Sequence, residues 1–322
     1  MKILVCGSGV IGSLLIHVLS QNGNEVTVLA RGKRREELEK YGLRTKFHGK
    51  KEINTDKPRV VGEIPAEHFD LAFSVMQHGQ QWSLLQTLGN ADCSAVVLVG
   101  NNLSAPEMKQ QIIEAGGKTV LFGFQGTGGN RYEDYTEVLS LHKPSMVLGG
   151  LGETIPEEVT RIVNETFARA DYEIKWMDDM DAWYKCHAAF IVPIARLCYI
   201  VGCDLRKTTG KQRKTLFDAT SSAFDALRKS GCPIRPEGED AYYRPGAKRA
   251  MMSFMLNIMC HTKLGEMAAS DHCRHAVSEM EGLAVKMDEI VLNSGVECSA
   301  YKELKEAAPS WEELHRIYDG KR

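Results

Sequence analysis

Apolar positions along the chain fall into two rhythms, and the change from one to the other divides it. Lys2 to Cys6 is an apolar run of strand length, and Ile11 to Leu19 carries apolar residues at helical spacing until Asn22-Gly23-Asn24 stops it. Glu25 to Leu29 then supplies a second, β-branched strand. Strand, glycine turn, helix and strand within about 30 residues make the βαβ unit of a doubly wound sheet. Further apolar runs at Leu71–Val75, Ala95–Val99 and Thr119–Phe122 alternate with helical stretches and extend the α/β pattern. From Gly123 to Gly152, glycines punctuate short segments, which predicts strands and turns.

Beyond Trp176 the pattern is almost wholly helical. It predicts a helix through Trp183, Lys185 and Ile191, capped by Asp178 or Asp179 and kinked at Pro193. It also predicts a long helix from Leu264 to about Asn293, ended by Ser294-Gly295. The expected architecture is an α/β Rossmann-type amino-terminal domain, residues 1–176, plus an all-α carboxy-terminal domain, residues 177–322. A length of 322 residues suits two domains.

Gly7-Ser8-Gly9-Val10-Ile11-Gly12 fits G-x-G-x-x-G directly after a strand and at the opening of a helix. Gly7 permits the tight turn, Gly9 lets backbone approach a pyrophosphate, and Gly12 lets the helix pack closely on the strand. The helix start, with Ser8, Val10 and Ile11 between the glycines, offers free N–H groups to an anion. After the second strand comes Arg31, followed by Lys33, Arg34 and Arg35, with no carboxylate to hold an adenosine ribose. Arg31 suits a forked contact with a 2′-phosphate, so the expected cofactor is NADP, as NADPH, with Lys33 and Arg34 behind Arg31.

Composition narrows the partners. A net charge of -2 with 43% hydrophobic and 25% charged residues lacks the basic excess of a nucleic-acid binder and the polarity of a disordered chain. A small molecule is the expected partner. Nine cysteines without paired spacing suit reduced thiols and no disulfides. The first apolar run ends at Gly7, too short for a signal-peptide core or a membrane span, so the expected location is cytoplasmic, away from membrane.

Gly7, Gly9 and Gly12 with Arg31, then Gly100-Asn101-Asn102 after a strand, then Trp183-Tyr184-Lys185 opening the helical half, together resemble the ketopantoate reductase (2-dehydropantoate 2-reductase) family. The resemblance runs from Met1 to Ser294-Gly295-Val296. It implies an NADPH-binding Rossmann domain, a helical domain covering it, and a keto acid reduced in the cleft between them. It also implies that Lys185 is the catalytic lysine and that Asn101, or its neighbour Asn102, sits near the nicotinamide. The family's substrate-binding glutamate, about sixteen residues before the helix-ending glycine, corresponds to Glu279, with Glu281 the alternative in a slipped register. The residues add their own argument: Trp183, Ala188, Ala189, Phe190 and Ile191 flank Lys185. Its ammonium is therefore expected to be partly desolvated and its pKa lowered towards a proton donor's, with Ala188 and Ala189 leaving room for a ligand. The plain alternative is a snorkelling lysine.

Three departures from the family bear on substrate. Ala189 and Val192 replace two substrate-binding asparagines, Gln77 replaces a lysine, and the expected serine has Met267 at its counted position with Ser270 a turn later. Lost polar contacts change specificity strongly. The implied reaction is NADPH-dependent reduction of a 2-keto acid in an altered pocket. An opine- or imine-type dehydrogenase and a non-catalytic NADP-binding protein stay open as alternatives. His272 and His275 with Glu279 have a spacing that a metal could use, but histidines on a mixed face are more often structural, and no metal is expected; His275 could instead share proton handling with Glu279. Gly126 to Gly129 reads as a hairpin turn before a phosphate nest, and Met251 to Leu256 as core packing or a dimer surface.

Overall fold

The computed structural model describes residues 1–140, 143–262 and 265–319, the side chains of Met267 and Ala268 excepted. The chain divides into two compact units, Met1–Met180 and Asp181–Arg322. The division falls a few residues beyond Trp176, because the strand carrying that tryptophan closes the sheet of the first unit.

In the first unit, β1 (Lys2–Cys6), α1 (Val10–Gln21) and β2 (Glu25–Leu29) form the expected βαβ, with the strands parallel and Ile3 opposite Val26. The chain continues through α2 (Gly32–Tyr41), β3 (Leu43–Phe47), β4 (Ile53–Asp56), β5 (Arg59–Val61) and β6 (Phe69–Ser74). Next come α3 (His78–Trp82), α4 (Leu85–Asn90), β7 (Cys93–Val99), α5 (Ala105–Gly116) and β8 (Thr119–Gln125). The unit ends with β9 (Gly128–Arg131), β10 (Thr136–Leu139), β11 (Ser145–Gly149), α6 (Glu157–Phe167) and β12 (Glu173–Met177).

Eight strands form one sheet in the order β12-β11-β8-β7-β6-β1-β2-β5. From β5 to β8 all neighbours are parallel. Strands covered on both faces must be apolar throughout, which is why β1, β6 and β7 read as unbroken apolar runs. The direction of winding reverses between β1 and β6, and in such sheets ligands bind beyond the carboxyl ends of the strands at that reversal. β8 runs on to Gln125, past the expected Phe122, because β11 pairs antiparallel with it from Phe122 to Gln125.

A second sheet, β4-β3-β10-β9, is fastened to α1 by buried polar contacts. His17 Nδ1 lies 2.7 Å from Asp56 Oδ2, and Gln21 Nε2 donates to Asp56 Oδ1 at 2.9 Å. Gly128 and Gly129 begin β9, a strand paired with β10, and a Cβ at Gly129 would lie 2.0 Å from the Glu137 carbonyl oxygen and 3.1 Å from Val10. The Gly126–Gly129 segment thus serves strand packing on α1.

The second unit comprises α7 (Met180–Ile200), α8 (Gly210–Lys229), α9 (Ala247–Cys260), α10 (Asp271–His275), α11 (Val277–Asn293), α12 (Ser299–Ala307) and α13 (Trp311–Tyr318). α7 starts directly after Asp178-Asp179 and continues through Pro193. The single long helix expected up to Asn293 is corrected. Ala276, at φ −133° and ψ 40°, leaves helical geometry and separates α10 from α11, and a one-turn π-helix, Glu266–Ser270, precedes α10. The expected start at Leu264 lies outside the described residues. The stop at Ser294-Gly295 holds, with Gly295 at φ +67°. Of the run Met251 to Leu256 on α9, Leu256 is buried while Met251, Phe254 and Met255 are exposed, so the run as a whole is not core.

Asp56 is buried with two partners that would lose their acceptor together. Asp56→Ala is expected to lower unfolding free energy by about 3 kcal/mol in a urea titration, the cost of stripping one partner from a buried polar cluster.

Candidate functional site

Each unit carries one chemically distinctive site. In the first, β1 delivers the chain into Gly7 at φ +107°, a backbone conformation that side-chain-bearing residues rarely adopt. A Cβ there would lie 2.3 Å from the Val75 carbonyl oxygen, just beyond the end of β6. A Cβ on Gly12 would lie 2.2 Å from the Gly7 carbonyl oxygen, whereas one on Gly9 would meet nothing within 4 Å. Two glycines are therefore required by packing, and the third faces open space. Gly9 precedes the first turn of α1, which has no capping side chain and no acidic residue to satisfy its N–H groups. This cradle fits a dinucleotide pyrophosphate, with the backbone of Ser8, Gly9, Val10 and Ile11 around it.

The basic cluster divides in two. Arg31 is exposed at the N-cap of α2, in extended conformation, and Lys33 is exposed beside it. Arg34 instead lies over the glycine turn: its Nε donates to Ser8 Oγ at 3.1 Å, and its Nη1 meets Glu37 Oε2 at 3.2 Å. Burial, opposed by the hydrogen bond to Glu37, lowers its pKa, an effect that an anion bound beside it would relieve. The first turn of α2 holds no carboxylate.

At the end of β7, Asn102 is buried and committed to structure: its Oδ1 accepts from the Ser104 N–H at 2.8 Å and its Nδ2 points at Met108 Sδ. Gln77 precedes α3, and the buried Gln81 donates to the carbonyls of Ser74 and Val99 at 3.1 and 3.0 Å, tying the ends of β6 and β7 together.

In the second unit, Lys185 on α7 is 30% exposed and its Nζ lies 2.5 Å from Asp181 Oδ2, one turn earlier. The other Asp181 oxygen is buried without a hydrogen bond. An apolar setting alone was expected for Lys185; the structure instead gives its ammonium a carboxylate partner. The i, i+4 spacing of Asp181 and Lys185 was a signal available in the sequence and not used. Ala188, Ala189 and Val192 are buried at 2, 0 and 2% exposure, so no solvent-reached space lies beside them.

Glu279 sits in the first turn of α11, and its Oε1 lies 3.4 Å from His272 Nε2. His275 Nδ1 lies 2.8 Å from its own helix's Asp271 carbonyl oxygen, and His272 is in contact with Glu279. Glu281 pairs with His315 Nε2 at 2.8 Å, which separates the two glutamates. His187 stacks on Trp183, with ring centroids 4.9 Å apart and planes at 15°. Burial, then the charge of His272, push the His187 pKa down to about 4 against the pull of Glu279. Among the described residues no group of three or more histidine, cysteine or acidic side chains is placed to hold a metal ion.

Residues 3–150 match the family model of ketopantoate reductase PanE/ApbA. An uncharacterized oxidoreductase, YkpB, of Bacillus subtilis (strain 168) is 26% identical over 304 residues, covering 84% of this chain and 89% of its own length. A 2-dehydropantoate 2-reductase of Pyrococcus horikoshii is 28% identical over 183 residues, 57% of this chain and 58% of its own. A D-mandelate dehydrogenase solved with NADH and anilino(oxo)acetate shares the fold at a TM-score of 0.71 and 16% identity, covering 99% of both chains.

Gly9→Ala is expected to fold with stability within about 0.5 kcal/mol of the parent and yet bind NADPH at least tenfold more weakly, since its methyl enters the pyrophosphate's space; Gly12→Ala is expected to lose about 1–3 kcal/mol by overpacking. Calorimetry with paired urea titrations separates the two. His187 gives a pH test. Between its ordinary value and about 4 the unfolded chain binds a proton there that the folded chain refuses, so stability falls as pH drops through that window. His187→Gln is expected to flatten the pH dependence of unfolding free energy near pH 5 by up to about 1.4 kcal/mol per pH unit.

Proposed function

We propose, from the match of residues 3–150 to the ketopantoate reductase PanE/ApbA family model, that this chain is an oxidoreductase that reduces a 2-keto acid with NADPH. The observation that carries this reading is the glycine turn, where Gly7 and Gly12 have no room for a side chain and Gly9 stands open. The choice of NADPH over NADH rests on Arg31 at the N-cap of α2, Arg34 seated on Ser8, and a first turn of α2 without a carboxylate that would repel a 2′-phosphate.

The nicotinamide, when bound, supplies the hydride to the carbonyl carbon. The rest of the chemistry belongs to the chain. Lys185 donates a proton to the oxygen as it becomes an alkoxide and stabilises that charge, while Asp181 holds the ammonium in place. Glu279 would orient the substrate, and Asn101, which follows β7, would help hold the nicotinamide. Ketopantoate itself is one candidate substrate; with Ala189 and Val192 standing in place of the family's two substrate-binding asparagines, a second reading is reduction of an imine formed from a keto acid and an amine.

NADPH oxidation followed with a panel of 2-keto acids, each with and without ammonium or an amino acid, distinguishes these readings: turnover without amine is expected. Turnover that needs the amine supports the imine reading, and NADPH binding with no turnover supports a binding protein. In single-turnover mixing, Lys185→Ala is expected to slow hydride transfer at least about 100-fold with NADPH affinity unchanged. An undiminished rate would remove Lys185 from the mechanism.

A further inference from the structure

His272 and Glu279 are seven positions apart, which on an unbroken helix is two turns and about 10.5 Å of rise. The break at Ala276 removes that separation and brings His272 Nε2 to 3.4 Å from Glu279 Oε1. The two differ in exposure: His272 is 43% exposed and Glu279 12%. From α7, His187, stacked on Trp183, stands close enough to feel both charges. On α7, Lys185 pairs with Asp181. Arg274 lies 2.6 Å from Asp271 and 3.7 Å from Glu266, and Glu281 is held by His315.

Resting on the reductase reading above, we propose that His272 is a positioning residue for Glu279: its imidazolium holds the carboxylate in place, and loss of that proton releases it. The helix break is what makes the contact. Burial works against the imidazolium, but the hydrogen bond and charge of Glu279 raise the His272 pKa above an ordinary histidine's. His187 is driven the opposite way, so of the two rings His272 takes up a proton first as pH falls. A raised histidine pKa means that the pair is intact below it and is lost as pH rises through it. Carbonyl reduction consumes one proton with each hydride, and Glu279 must stay in place while that happens. The consequence is an alkaline limb in activity that belongs to His272.

The test compares the pH profile of kcat/KM for NADPH-dependent reduction, with whichever 2-keto acid of the panel is turned over, in the parent, His272→Gln and His272→Arg. Histidine-ring NMR titrations of the parent and Glu279→Gln accompany it. The parent is expected to lose activity at the pH where the His272 ring titrates. His272→Gln is expected to be about tenfold slower below that pH and to lack the limb, and His272→Arg, a permanent cation, to recover the rate and keep it at high pH. In Glu279→Gln the His272 titration is expected to move to lower pH. If both His272 variants keep the parent's limb, or if Glu279→Gln leaves the His272 titration unmoved, the positioning role is overturned while the reductase reading stands. If the parent reduces no 2-keto acid, the reductase reading falls and takes this role with it, whatever the ring titrations show.

Discussion

The carbonyl of Gly7 occupies the space that a side chain on residue 12 would need, and this close approach sets the geometry of the amino-terminal unit. It brings the start of α1 against the end of β1, so that unsatisfied N–H groups face outward where the sheet reverses its winding. The same helix then carries His17 and Gln21 to Asp56, which seats the second sheet on its far side. Gly129 must lack a side chain because β9 lies so close to β10 and to α1. One tight turn thus fixes an anion cradle, and the packing around α1 keeps it rigid.

The helical unit follows a different logic. Its site is assembled by spacing along α7 and by an interruption further on. One turn of helix pairs Asp181 with Lys185, and the same helix stacks Trp183 on His187. The interruption at Ala276 lets α10 return His272 to Glu279. A continuous helix would have left that carboxylate and that imidazole two turns apart. Two basic groups with opposed tendencies to hold a proton are then found within one small cluster.

Much of the first unit was legible in the sequence because its signals are local. β1, β2 and the glycine turn are read from runs of a few residues, and the turn's chemistry follows from the absence of side chains. Arg34 was harder. Arg31 stands at the expected distance from the turn, but only the fold shows that Arg34 reaches back to Ser8. The helical unit was less legible. Apolar periodicity continues across Ala276 without a proline or glycine to mark the break, so α10 and α11 read as one helix, in which His272 and Glu279 stand two turns apart. Asp181 is legible as a carboxylate four residues before a lysine, at the spacing of a helical ion pair. The fates of Ala188 and Ala189 depend on packing between distant segments, which periodicity does not encode.

The account depends on the glycine turn holding a nicotinamide dinucleotide whose 2′-phosphate is read by the basic residues of α2. Calorimetric titration of the protein with NADPH and then NADH tests that most directly. The account predicts one site per chain and binding at least tenfold tighter for NADPH, the free energy of about one charged hydrogen bond to phosphate. Equal affinities, tighter NADH, or no binding of either nucleotide would contradict it.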